Sequence, residues 1–350
     1  MAAWRPTAVR GASLLMFLLW LQPLAQADTA VESPGSPADF LLAEGRVSAP
    51  ERQAVERGRI VTKVIETSDR SEVLSFAVMR VRTTPSRVLE RFRGVEDWRR
   101  DPWVLQVGRV GPIPSAHDIE ALSLDPGDVK DLSHCRVNDC DVRFPAETIE
   151  RFRREVDWSA PGRAAQATAL LRQTLSSYAS SYLSLGNAAL FEYANNDDPV
   201  RIEASLDELI RRSRFLREES PDLYAYLERF PNDRPPASED FIYWVKERFW
   251  LMNVLSLNHS IVVDRTTDSG RLILDVSKQL YASHYYEASL ALTAYVEGPA
   301  GTAYLFSLNR ARADIRPNGF SWIERLLLNR LVRGRMEAEF RYLKQWLEAS

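Results

Sequence analysis

Residues 286–296 alternate between apolar and polar side chains. The even positions are Tyr, Ala, Leu, Leu, Ala and Val, whereas the odd positions are mostly polar. After a glycine-containing break at 298–301, a second run alternates through three bulky side chains, Tyr304, Phe306 and Leu308. A period of two is typical of strands with one buried face, so we expect an antiparallel hairpin here.

The register of this hairpin decides which side chains meet, because a slip of one residue would turn every side chain to the other face. We expect Val296 to lie opposite Thr302, which gives apolar pairs along most of the hairpin. The same register places Asp314 opposite His284, so the apolar face becomes polar at one end. Five residues are predicted to share that end of one face: His284, Tyr286, Arg310, Arg312 and Asp314.

The first part of the chain predicts another hairpin, from residues 59–66 and 72–81, followed by a short helix. Thr84 is a suitable N-cap for that helix, and Pro85 suits its first position. Three further strands are expected, at 104–110, 119–124 and, more weakly, 128–132.

From residue 145 the period changes to that of helices. Five helices are predicted, at 146–156, 163–194, 202–219, 222–230 and 238–250. The second carries a stripe of Leu and Tyr at helical spacing, which we interpret as core. Strand patterns return at 260–264 and 271–281. A long helix is predicted at 321–348, where Ser321 and Glu324 have the spacing of a capping box.

The first 27 residues have the parts of an export signal. Arg5 and Arg10 precede an apolar core at 14–21, and Ala25-Gln26-Ala27 is a small-residue cleavage site, which predicts cleavage after Ala27. An uncleaved anchor is the alternative, but the core is short for a membrane span of about 20 residues. We expect a periplasmic or extracellular protein with no membrane segment after cleavage. Residues 28–50 are small and polar, and predict a flexible lead-in.

Cys135 and Cys140 are the two cysteines of the chain. An exported protein meets an oxidising compartment, so we expect them to form a structural disulfide. His134 and Asp141 flank the pair, but four ligands within eight residues rarely fit one tetrahedral ion. We therefore predict a disulfide and no metal site. The C-x-x-C spacing of redox and haem motifs does not occur here.

The formal net charge of −3 argues against nucleic acid as a partner, because phosphate binding requires a concentrated basic face. No glycine-rich phosphate loop occurs, and we expect no cofactor. Lipids and other small molecules remain as possible partners.

The predicted strands do not alternate regularly with helices, which favours an antiparallel α+β domain over a Rossmann-like sheet. A curved antiparallel sheet with a long C-terminal helix across it resembles the helix-grip fold of the START and Bet v 1-like superfamily. The resemblance covers 59–132 and 257–348. We accordingly divide the sheet domain into two parts, 51–144 and 251–350, separated by an all-helical insertion at 145–250. The resemblance implies an apolar ligand held between sheet and helix.

Three sequence strings also resemble a family of exported bacterial proteins without an assigned function. They are Lys-Gln-Leu-Tyr-Ala-Ser-His-Tyr-Tyr at 278–286, Asn-Arg-Ala-Arg-Ala-Asp at 309–314, and Cys135-x4-Cys140-Asp141. This second resemblance implies export but no activity.

His284 and Asp314 form the strongest candidate for a catalytic or pH-sensitive pair. A carboxylate beside an imidazole fixes its tautomer and raises its pKa, which suits a general base or a pH-sensitive contact. A nucleophile is missing, because Ser283 and Ser289 are expected on the opposite face and no G-x-S-x-G elbow occurs. The pair is therefore a polar cap of the sheet, a ligand-binding group or a catalytic pair, in that order of preference.

Arg310 and Arg312, with Lys278 on the neighbouring strand, form a second candidate site. The guanidinium fork matches carboxylate and phosphate, so these residues could hold an anionic head group. Alternatively, Glu287 and neighbouring acidic residues neutralise them in structural ion pairs.

Together these patterns predict an exported protein that binds an apolar or amphiphilic, lipid-like ligand between the sheet and the C-terminal helix. The expected binding residues are Lys278, His284, Tyr286, Arg310 and Arg312. One alternative is a periplasmic hydrolase or isomerase that uses His284 and Asp314. Another is a scaffold that binds partners through the helical insertion. Binding is favoured over catalysis because the nucleophile is missing.

Overall fold

An eight-stranded antiparallel sheet forms the centre of the computed structural model, which describes residues 35–249, 252–298, 301–313 and 322–349. Its strands are β1 (Val61–Ile65), β2 (Glu72–Val81), β3 (Val104–Val110), β6 (Ser238–Phe249), β7 (Met252–Thr267), β8 (Gly270–Ala282), β9 (Tyr286–Glu297) and β10 (Ala303–Ala313). They lie side by side in the order β1-β2-β10-β9-β8-β7-β6-β3. Two short strands, β4 (Glu192–Tyr193) and β5 (Val200–Arg201), pair separately.

The helices are α1 (Pro37–Glu44), α2 (Ala49–Glu56), α3 (Pro85–Arg93), α4 (Pro126–His134), α5 (Ala146–Glu155), α6 (Arg163–Leu185), α7 (Ile202–Arg212), α8 (Arg214–Glu219), α9 (Pro221–Arg229) and α10 (Trp322–Glu348). Short 3-10 turns lie at Val95–Arg100, Ala116–Ile119 and Gly186–Ala189. The predicted α+β class, with a large antiparallel sheet and a long C-terminal helix, is confirmed. Thr84 caps α3 as predicted, since its side chain accepts from the Arg87 amide. Ser321, the predicted cap of α10, lies outside the described residues.

Both faces of the sheet are covered, and different helices cover each. The insertion face carries large apolar side chains such as Leu274, Leu290 and Leu292, which share one core with helices α1 and α5–α9. The opposite α10 face carries Ile273 and Tyr295, which share a core with α3 and α10. The apolar face predicted for 286–296 is therefore packed by the insertion, and α10 covers the other face.

The prediction of a helix at 238–250 is wrong, because Ser238–Phe249 is strand β6. Its central run Phe241–Val245 is apolar at every position and buried throughout. A strand covered on both faces loses the alternation that would distinguish it from a buried helix. The helical part of the insertion therefore ends with α9, at Arg229.

The strand prediction for 119–124 and the weaker one for 128–132 are also wrong. Ile119 ends a 3-10 turn, residues 120–124 form no strand, and Pro126–His134 is the helix α4. Asp125 precedes Pro126 at the start of α4, and its carboxylate together with Asp128 forms a capping box. These two capping signals outweigh a run of only a few apolar residues.

The lead-in predicted for 28–50 is helical in the part that the structure describes. Ser36 caps α1, and Pro37 occupies its first turn. Phe40 and Leu41 of α1 are buried in the core of the insertion face. The export signal predicted for residues 1–27 lies outside the described residues.

Helix α6 ends at Leu185 and not, as predicted, near Ala194. Gly186 follows it in a left-handed conformation, with φ of 66°. A Cβ atom at this position would collide with the carbonyl oxygen of Phe230. Glycine therefore allows the chain to turn where it passes close to the end of α9.

The register of the last hairpin differs from the predicted one by two residues. Val296 pairs with Tyr304, and Leu290 pairs with Arg310. The Gly298 amide donates to the Thr302 carbonyl, which extends the pairing to Glu297. An even shift preserves the faces, but the register changes again between Arg312 and Ala313. That irregularity turns Tyr286 to the α10 face, away from Arg310 and Arg312.

Candidate functional site

A cavity of about 380 Å³ lies between the sheet and helix α10. Six strands contribute to its floor: β2, β6, β7, β8, β9 and β10. Its volume falls within the range of roughly 300–1,000 Å³ that is typical of small-molecule sites. The cavity is the candidate functional site of this protein.

The cavity exists because the strands carry small side chains on their α10 face. Serines and an alanine line the middle of the floor: Ser75, Ser277, Ser289, Ser307 and Ala291. On the insertion face, the same strands carry buried Leu and Phe side chains that pack into one core with the helices. A protein interior normally packs without voids, so a row of small residues beneath a helix leaves a partly open space.

The roof and one end wall of the cavity are apolar. Helix α10 contributes three aliphatic side chains to the roof, Leu328, Val332 and Met336. Phe249 stands between Tyr285 and Tyr286, with ring centroids 5.6 Å and 5.5 Å away. Burial raises the pKa of the Tyr286 phenol, which is therefore a neutral hydrogen-bonding group at physiological pH.

A cluster of three charged side chains, Arg335, Glu247 and Glu339, lines the side of the cavity near β6. Arg335 of α10 donates from Nε to Glu339 at 2.7 Å, and it also pairs with Glu247 of β6. Its third nitrogen donates to the carbonyl of Arg248 at 3.3 Å. Burial disfavours the Arg335 cation, but the two carboxylates outweigh this effect and raise its pKa. The enclosed position raises the pKa of Glu339, against the opposing effect of Arg335.

The polar side chains of the floor are only partly paired with one another. Ser289 donates to Asn309 at 2.9 Å, and Asn258 donates to Ser256 at 2.9 Å. The oxygen of the Gln279 amide is buried and has no hydrogen-bond partner in the described part of the chain. The floor thus offers both donors and acceptors to a bound molecule.

Only one of the predicted binding residues, Tyr286, lines this cavity. Arg310 and Lys278 lie on the insertion face, as shown by their shared cross-strand neighbour Leu290. His284 follows the end of β8 and also stays outside the cavity lining. The predicted common end of one face is therefore divided among three places in the fold.

His284 contacts Asp128 and not a residue of the hairpin. Its Nε2 lies 3.4 Å from the Asp128 carboxylate, and its Nδ1 lies 3.1 Å from the Asp141 carbonyl. The side chain is 4 % exposed. Asp314, the predicted partner, lies outside the described residues. His284 thus joins α4 to the end of the sheet.

Arg310 and Arg312 take part in a network of ion pairs. Arg310 contacts Glu72 at 2.6 Å and Glu44 at 3.0 Å. Arg312 contacts Asp69, Glu208 and Glu287, and the first two of these also bind Arg212. Neighbouring acidic residues, Glu287 among them, therefore neutralise Arg310 and Arg312. This was one of the two predicted roles of these arginines.

Lys278 is fully buried beneath helix α6 and the turn that follows it. Its ammonium donates to Oδ1 of Asn187 at 2.7 Å and lies 5.2 Å from the ring centres of Tyr182 and Phe230. Burial lowers its pKa to about 7. Its neighbours are those of a core side chain, at a distance from the cavity.

His259 is the neighbour of Lys278 across β7 and β8, and it is also buried. The Tyr182 hydroxyl lies 2.9 Å from its Nδ1, and Asp240 lies 3.7 Å from its Nε2. Burial lowers the pKa of His259 to about 4, against the opposing effect of Asp240. His259 is thus a buried core histidine whose two ring nitrogens face protein groups.

Cys135 and Cys140 form the predicted disulfide. It closes the loop between α4 and the segment that leads to α5. In the described ranges, no group of three or more His, Cys, Asp or Glu side chains is arranged to hold a metal ion.

The sequence contained one signal for the cavity that the predictions did not use. Polar residues at odd positions of 286–297, and Ser307 and Asn309 in the next strand, suggested a solvent-facing surface. Ser289, Ala291, Ser307 and Asn309 instead form part of the floor beneath α10. The available clue was that the middle of these strands carries small side chains, whereas the charged Glu287 and Glu297 lie near the two ends of β9.

None of the described helices combines the length and the apolarity that a membrane span requires. Comparison of the chain with family models, with curated proteins and with solved structures gives no match.

Proposed function

We propose that this protein binds an amphiphilic small molecule in the cavity between the sheet and α10. The main observation in support is that the two sides of the cavity differ in polarity. Ser and Asn side chains lie in the floor, whereas Leu328, Val332 and Met336 form the roof. A concave space with a few convergent polar groups is the usual form of a small-molecule site.

We further propose that the fold is of the helix-grip type. The long helix α10 packs across one face of an antiparallel sheet, and strands from both ends of the chain meet in that sheet where β2 pairs with β10. A ligand between sheet and helix is what this fold resemblance implies. Export is part of the same proposal, and the disulfide supports it because such bonds persist in oxidising compartments.

The catalytic and scaffold alternatives have weaker support. The imidazole of His284 is bonded to Asp128 and Asp141, away from the cavity. The long helix of the insertion uses Leu175, Tyr178 and Tyr182 to pack against the sheet, so its apolar stripe is not available to a partner.

Extraction followed by mass spectrometry tests the binding proposal. The wild-type protein, purified without detergent, should release a small molecule in about equal molar amount. Ala291→Leu adds three carbon atoms to the floor of the cavity and should abolish this release. Ala291→Ser preserves the volume and should retain it.

An Ala291→Leu protein that folds normally and carries the same molecule in the same amount would contradict the proposal. So would a wild-type protein that releases no small molecule. Circular dichroism and thermal unfolding of all three proteins establish that the variants are folded.

A further inference from the structure

We infer that the molecule held in the cavity is uncharged and carries several hydrogen-bonding groups, such as hydroxyls, along one side. This inference rests on the proposed binding function. It narrows the ligand class from amphiphiles in general to neutral ones, and it excludes fatty-acid and other anionic lipids.

The hydrogen-bonding capacity of the floor is the first argument. The Gln279 side chain lines the cavity, and its amide oxygen is buried without a hydrogen-bond partner in the described part of the chain. Asn258 uses its amide nitrogen on Ser256, whereas Asn309 uses its oxygen on the Ser289 hydroxyl. A free acceptor on Asn258 and a free donor on Asn309 remain within the described part of the chain. A purely aliphatic ligand would remove these groups from water without replacing their hydrogen bonds, which disfavours its binding.

The charges around the cavity are the second argument. Arg335 is the single cation among the described lining residues, and all three of its nitrogens donate to protein groups. Glu247 and Glu339 line the same side, so carboxylates outnumber the cation. A carboxylate or phosphate bound here would lose its water and find no free positive partner.

The pairing of both lining carboxylates with Arg335 is the third argument. Glu339 is enclosed by the cavity and α10, and its pKa is raised. Glu247 and Glu339 each direct a carboxylate oxygen to Arg335. A cationic ligand therefore finds no unpaired carboxylate among the described lining residues, and the hydrocarbon roof offers no charged partner to a ligand of either sign.

Three probes with the same octyl chain separate these possibilities by isothermal titration calorimetry. Octyl β-glucoside is neutral with a row of hydroxyls, octanoate is an anion, and octyltrimethylammonium is a cation. Each is titrated below its critical micelle concentration into the full-length mature protein, after removal of any co-purified molecule. We expect the glucoside to bind at least tenfold more tightly than either charged probe.

The floor is tested with Gln279→Leu, which removes the unpaired amide and keeps the side-chain size. It should weaken glucoside binding by about fivefold and leave octanoate unchanged. The matched control is Gln53→Leu, at an exposed position of α2, which should have no effect.

Octanoate or the ammonium probe binding as tightly as the glucoside would overturn the inference, as would glucoside binding that is unchanged in Gln279→Leu. Failure of all three probes would also overturn it. In these cases the extraction experiment with Ala291→Leu still decides the proposed binding function separately. An anionic lipid recovered there would support the binding function and refute the inference.

Discussion

The ammonium of Lys278 donates a hydrogen bond to Oδ1 of Asn187 over 2.7 Å, in a fully buried position beneath α6. Asn187 in turn donates to the carbonyls of Leu227 and Glu228, which hold the end of α9. The lysine therefore sits at a junction between the sheet and two helices of the insertion. Lys278 is therefore a structural side chain. Because burial lowers its pKa to about 7, its charge changes within an accessible pH range.

Replacing Lys278 with Met should change how the stability depends on alkaline pH. Burial lowers the pKa of Lys278 from 10.5 to about 7, so between these values the unfolded chain binds more protons than the native one. The cost of the buried ammonium is fully present below pH 7 and is relieved as the pH rises toward 10.5. The wild type should gain about 1 kcal/mol per pH unit relative to Lys278→Met across this window.

Urea unfolding at several pH values between 7 and 10 measures this difference. Lys130→Met, at an exposed position of α4, serves as the control and should follow the wild type. If the free energy of unfolding depended on pH in the same way in the wild type and in Lys278→Met, the ammonium would not be desolvated.

His259 should make the protein sensitive to acid. Its pKa is lowered to about 4 in the native state, whereas an unfolded histidine titrates near 6.5. Its contribution is fully present above pH 6.5 and is lost as the pH falls through 4, because the unfolded chain takes up the proton first. His259→Gln should remove about 3 kcal/mol of this pH dependence.

The measurement is the free energy of unfolding at pH 7 and at pH 4.5. His117→Gln changes a histidine whose side chain is 81 % exposed, and it should leave the acid dependence intact. If the wild type and both variants lost the same stability between pH 7 and pH 4.5, groups other than His259 would control the loss of stability in acid.

Arg310 should contribute to stability and not to ligand binding. Arg310→Met leaves the carboxylates of Glu44 and Glu72 with fewer partners at positions that are 8 % and 1 % exposed. Breaking a buried ion pair from one side costs roughly 3–5 kcal/mol. Chemical denaturation should detect this loss, while the amount of extracted small molecule stays the same because Arg310 lies on the insertion face.

Arg214→Met provides the comparison, since the Arg214–Glu218 pair is exposed to solvent and should contribute little to stability. Loss of the bound molecule in a folded Arg310→Met protein would instead assign the arginine to the ligand site.

The disulfide should stabilise the protein modestly. Closing so short a loop lowers the entropy of the unfolded chain by an amount worth about 2 kcal/mol. Cys135→Ala/Cys140→Ala should lose that amount in urea unfolding. A reducing agent should produce the same loss in the wild type and no change in the double variant. A loss in the double variant under reducing conditions would point to side-chain packing and not to the crosslink.

Local signals in the sequence predicted much of the fold. The hairpin β1–β2, the cap of α3 at Thr84 and the alternation of β9 and β10 each depend on residues that are close in the chain. The errors occurred where several elements overlap in space. Strand β6 looked like a helix because both of its faces are buried, which only the complete fold explains.

The candidate site could not be predicted in the same way. Alternation between residues 286 and 296 correctly separated Leu290 and Leu292 from Ser289 and Ala291. It carried no information on what covers either side, so the polar set was assigned to solvent. The shift in register at Ala313, which returns Tyr286 to the α10 face, also depends on pairing between strands and not on either strand alone.

By itself the sequence determined which residues share a face, where most helices begin and that the two cysteines pair, because these properties arise from local periodicity, capping and proximity. Tertiary structure alone decided that the helical insertion packs on the face that carries Leu290 and Leu292, and that α10 packs on the face that carries Ser289 and Ala291. The free energy of burial depends on the partner that a surface meets, and that partner comes from a distant part of the chain. The cavity results from this choice, since the small side chains of the floor leave a space only when a helix lies above them.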